Sequence, residues 1–139
     1  MRAIESGGVR AEWDEERGLL RLHMRPGCVP TAEDADRIAD ALEAWSGIER
    51  PVRALVDCEG ATGLYVGWRV RWTKRIKRHP RAVRMAYCRV NGMASWIMPY
   101  FVMLTGVEAR PFDDEADARV WLVAWDAPRV APLAASADG

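Results

Sequence analysis

The chain has 139 residues, half of them hydrophobic, with 20 Lys and Arg balanced by 20 Asp and Glu. That length and apolar content fit one folded domain with its own core and exclude a disordered chain. Zero net charge argues against a protein that grips polyanions over its whole surface, nucleic acid included.

Residues 1–8 are expected to form a flexible N-terminus, followed by a domain over 9–126. "VRAEWDEERGLLRLHM" predicts two short strands around a polar turn at 15–18. Val9, Ala11 and Trp13 alternate on the first strand, and Leu20, Leu22 and Met24 on the second. Pro26, Gly27 and Pro30 then break the pattern. Thr31 is placed to cap a helix, with Asp34 at the N3 position of a loose capping box. On that helix Ala35, Ile38, Ala41, Leu42 and Trp45 recur at helical spacing, which leaves Asp36, Asp40 and Glu43 toward water.

"VRALVD" predicts a strand covered on both faces, because its apolar run has few polar gaps. The loop "CEGATG" leads into a helix over 64–78, closed by His79-Pro80. "AVRMAYCRV" predicts the next strand, Asn91-Gly92 a turn, and Ser95 the cap of a helix over 96–104. Pro99 would lie at the end of that helix's first turn, where it costs little. "VEARPF" predicts a last strand and "DDEADARVWLVAW" a last helix, whose first-turn acids suit the dipole. Residues 127–139 are expected to be a disordered tail. The order β-β-α-β-α-β-α-β-α predicts an α/β fold, a mixed and mostly parallel sheet opened by an antiparallel hairpin.

The charges are segregated along the chain. No Asp or Glu occurs from Gly60 to Val107, whereas basic residues recur from Arg69 to Arg89. Cys28, Cys58 and Cys88 are odd in number and form no CxxC pair, which disfavours a disulfide framework or zinc site and suits a reducing compartment. "MRAIESGGVR" lacks the apolar core of a secretory signal, and "GMASWIMPYFVMLTGV" falls short of the roughly 20 residues that span a bilayer. A soluble, cytoplasmic protein is expected.

The element order, with "ALVDCEG" as central strand and "LTGVEARPFDDEADARVWL" at the end, resembles the STAS superfamily. The nearest branch is the SpoIIAA-like one, whose fold is related to CRAL-TRIO lipid-carrier domains. Asp57 closes a strand where the family has an acid followed by a Gly-containing loop. Trp72, His79 and "VRMAY" match its aromatic–His–strand run. Leu104-Thr105-Gly106, Glu108, Arg110 and Phe112, then Ala118, Trp121 and Leu122, match its end. The likeness covers about 9–124 and implies a regulatory or binding module. Anti-sigma-factor antagonists, which are relatives, carry a phosphorylated serine in this loop. Here "CEGATGLYVGW" has none, and Thr62 is its only aliphatic hydroxyl, so Thr62 is a phosphoacceptor candidate set against an ordinary capping residue.

Three groups of residues are candidates for function. Asp57, Cys58 and Glu59 occupy a strand end, the usual place for a ligand in an open α/β sheet. Catalysis would need a base on the Cys58 thiol, and no histidine is near in sequence, so a small buried Cys is the commoner explanation. Neither metal-ligand spacing nor a GxGxxG or Walker loop is present, so no cofactor is expected. In the predicted 64–78 helix, Trp68, Trp72 and Ile76 make one apolar stripe. Arg71, Lys74, Arg75 and Arg78 make a cationic face, either solvated cover or a dock for an acidic protein or anionic lipid. "MASWIMPYFVML" is apolar nearly all round. Trp96, Met98, Tyr100, Phe101 and Met103 there fit a homodimer seam first, a small-lipid pocket second and plain core third. The expectation is a non-enzymatic STAS-like module that works by protein association, with a carrier or sensor of an apolar ligand as the alternative and an enzyme using Cys58 third.

Overall fold

Six strands pair in chain order into one sheet: Arg2–Ser6 (β1), Val9–Asp14 (β2), Leu19–Met24 (β3), Val52–Asp57 (β4), Val83–Cys88 (β5) and Glu108–Phe112 (β6). Four helices complete the chain: Ala32–Ser46 (α1), Val66–Lys77 (α2), Gly92–Thr105 (α3) and Glu115–Val123 (α4). The computed structural model describes residues 1–47, 50–61, 63, 65–79, 82–90 and 92–127, with the backbone alone over 92–98. β1, β2 and β3 are antiparallel, and β3 to β6 are parallel.

Each strand–helix–strand unit from β3 onward steps one strand along the sheet in the same direction. Right-handed crossovers then stack α1, α2 and α3 on one face. Side-chain alternation sorts the core accordingly. Leu20, Leu22, Val52, Ala54, Val56 and Met85 point into the larger core with Ile38, Leu42, Trp68 and Trp72. Leu19, Leu55 and Ala86 point the other way, onto Ala118 and Leu122 of α4. Thr31 and Asp34 make the full capping box at the start of α1.

Three expectations need correction. Residues 2–6 are not a flexible lead but β1, paired with β2 through the register Arg2↔Trp13 to Ser6↔Val9. Gly7 and Gly8 both take positive φ (61° and 81°), the two-residue hairpin turn that only glycine enters freely. The order is therefore β-β-β-α-β-α-β-α-β-α. The second helix starts at Val66 rather than 64, and the third at Gly92, so Pro99 lies inside that helix rather than in its first turn. There it removes one ladder donor. The expected tail beyond Ala127 lies outside the described residues.

The loop after β4 is seated by Gly60. A Cβ there would lie 2.2 Å from the Met24 carbonyl oxygen and 2.5 Å from the Arg25 carbonyl carbon. Backbone cannot yield as a flexible side chain does, so Gly60→Ala is expected to destabilise the fold by about 1–3 kcal/mol. Denaturant unfolding reads this directly, and an unchanged midpoint would contradict it.

Candidate functional site

α1 and α2 lie side by side, and their facing charges meet. Asp36 of α1 bonds Arg71 and takes a second bond from Arg75 at 3.2 Å. The Arg75 guanidinium also donates to Asp40 at 2.6 Å and to Glu43 at 3.2 Å. Partial burial works against its charge, but the three carboxylates outweigh that and hold Arg75 more firmly protonated than usual. The four-residue cationic face is therefore not free. Arg71 and Arg75 are spent on α1, while Lys74 and Arg78 stay exposed with no ion pair among the described residues.

On its other flank α2 stands off from α3, and a cleft of about 590 Å³ runs between them. Arg69, Val70, Thr73, Lys74 and Lys77 line one wall, and Tyr100, Phe101 and Leu104 the other. Below it a smaller, largely apolar pocket of about 110 Å³ enters the core, bounded by Val56, Cys58, Trp68, Trp72, Tyr87 and Phe101. Arg69, Thr73 and Phe101 border both spaces, which places the two side by side. Trp68 and Trp72 stack at 5.5 Å, and Tyr87 meets Phe101 edge-on at 6.3 Å, so the pocket walls are rigid aromatics.

The apolar residues expected on the oily helix divide. Phe101 is buried at 6% exposure, whereas Tyr100 is 64% and Met103 70% exposed. The side chains of Trp96 and Met98 lie outside the described residues, as does Thr62.

At the end of β4, on the α4 side of the sheet, Asp57 is fully buried. Arg89 donates to both its oxygens, His23 Nδ1 lies 3.0 Å away, Arg21 reaches it at 3.4 Å, and the Glu59 N–H donates at 3.1 Å. Burial alone would raise the Asp57 carboxyl, but the bonds from Arg89, the Glu59 amide and His23 prevail and hold it below the usual carboxylate range. Arg89 also pairs with Glu59 at 3.4 Å. It has a left-handed φ of 55°, a strained conformation for a side-chain-bearing residue. This clasp ties the loop entering α2 to the one entering α3, the two helices that wall the cleft.

Parallel pairing brings His23 opposite Asp57, an acid–imidazole pair that sequence proximity could not reveal. It does not serve Cys58. The Cys58 thiol lines the pocket on the other side of the sheet, and burial, with the neighbouring Cys88 and Asp57, pushes it up to about 12. It stays a thiol at neutral pH and lacks the activation a nucleophile needs. Among the described residues no group of three His, Cys, Asp or Glu can hold a metal ion. No helix there is long and apolar enough to cross a membrane.

A family model described as SpoIIAA-like matches residues 28–123, well over half of the chain, and the chain belongs to that STAS-type family. No curated protein and no solved structure matches it.

The clasp makes a pH prediction. Because Asp57 has a depressed folded value, its stabilisation is complete above the unfolded carboxyl value of about 4 and disappears as pH falls below it. Asp57→Asn, which strips a buried ion pair of its anion, is expected to cost about 3 kcal/mol at pH 7. The gap from wild type should narrow at pH 3. A pH-independent difference in unfolding free energy would contradict the assignment.

Proposed function

We propose that this SpoIIAA-like protein works by binding rather than catalysis, as a carrier or sensor that admits an apolar guest between α2 and α3. The observation that carries this reading is the adjacency of the two spaces: an apolar pocket among Trp68, Trp72 and Phe101 shares Arg69, Thr73 and Phe101 with a cleft of small-molecule size. The rigid aromatic walls hold the pocket open. The reactive alternative has little support, since the one thiol in the pocket is protonated and Asp57 is consumed by Arg89 on the far side.

A second reading is favoured by one further observation. Met103 is among the most exposed large apolar residues but does not line the cleft, and Tyr100 stands beside it on the same helix. Exposed apolar residues on a single helix favour association with another protein or a second copy of the chain, and the exposed Lys74 and Arg78 suit an acidic partner. Light scattering separates these outcomes, a homodimer doubling the mass and a monomer excluding one.

The guest reading predicts that a neutral naphthylamine dye binds saturably at one site, with a rise in its fluorescence. Cys58→Met, which adds bulk to the pocket lining, should weaken that binding by about tenfold or more, equivalent to ~1.4 kcal/mol. Its unfolding midpoint checks that the fold persists. Absence of saturable binding to wild type, or unchanged binding to a folded Cys58→Met, would refute it.

A further inference from the structure

Resting on the guest-binding reading, we infer that the ligand is a single-tailed anionic amphiphile, with its acidic head at Arg69, Lys74 and Lys77 and its tail directed past Phe101. The cleft walls are chemically unequal. The α3 wall presents Tyr100, Phe101 and Leu104 and no charge, while the α2 wall carries the three cations. Neither helix contains a single acid, because no Asp or Glu occurs from Gly60 to Val107. The nearest carboxylates on a neighbouring helix, Asp36, Asp40 and Glu43 of α1, are engaged by Arg71 and Arg75 on the opposite flank of α2. Arg69, Lys74 and Lys77 make no ion pair among the described residues, so the charge on the rim is uncompensated.

Position adds direction to this charge. Arg69 lines both the cleft and the inner pocket, which places it at the boundary between the apolar interior and the cationic rim. Guanidinium and ammonium donors together suit a carboxylate or phosphate better than a neutral hydroxyl. The inner pocket, at about 110 Å³, admits the tip of one tail and not two. A void of about 150 Å³ holds one benzene. A second tail would have to lie in the outer cleft beside the three cations, so the expected source is a free single-tailed amphiphile rather than a bilayer lipid.

Calorimetric titration with three probes of equal tail length tests this: decanoate, decanol and decylammonium, each below its micelle concentration at neutral pH. Decanoate is expected to bind at least about tenfold tighter than decanol, with decylammonium weakest, and added salt should shrink that advantage. In Arg69→Met/Lys74→Met/Lys77→Met the decanoate preference should fall to about threefold or less, while decanol binding persists. Equal binding of all three probes overturns the anionic head but leaves guest binding intact. Failure of every probe overturns guest binding itself. Sedimentation of the protein with phosphatidylglycerol vesicles, without uptake of monomeric decanoate, assigns the cations to a membrane surface and also overturns the inference.

Discussion

Two arginines of one helix hold three acids of its neighbour, and the shape and charge of the α2–α3 cleft follow from that bond set. Arg71 and Arg75 fasten α2 to α1 through Asp36, Asp40 and Glu43. An exposed ion pair contributes only about 0.2–1 kcal/mol, but Arg75 is four-fifths covered and shared among three carboxylates, which makes a network rather than an isolated pair. The consequence is positional. α2 packs more extensively on α1 than on α3, so its other flank stands clear and the cleft remains. The same bonds consume the acids of α1 and leave the α2 rim cationic.

Asp57 does the equivalent work at the strand ends. Placed at the close of β4, it faces the α4 side, whereas Cys58, one residue later, faces the pocket. Clasping Arg89, it fixes where both wall helices begin. Between these anchors lies space that side chains do not fill. The aromatic pairs around it keep the neighbouring chain from collapsing inward.

Local patterns carried most of the fold. The alternation of Val9, Ala11 and Trp13, the capping box of Thr31 and Asp34, and the apolar run "VRALVD" each became the element their chemistry dictates. β1 escaped because a five-residue edge strand with exposed Arg2 and Glu5 shows little periodicity, although the glycine pair after it was a hairpin signal. The site was less legible for a different reason. Helical spacing identified Arg71 and Arg75 as one face and Asp36 and Asp40 as another, but nothing local states that two faces from separate helices neutralise each other. The His23–Asp57 contact likewise exists only through strand register. Trp68 and Trp72 read as core stripe and are core, yet they also wall a pocket, a distinction set by what fails to pack against them.

An accessible apolar space between α2, α3 and the sheet underlies the proposed guest binding. Xenon under pressure is its most direct probe, because dry apolar voids of this scale take up the gas without any head-group chemistry. Diffraction from pressurised crystals is predicted to place one xenon atom among Trp68, Trp72 and Phe101. Trp68 and Trp72 packed in contact with Phe101, with no xenon density there, would contradict it.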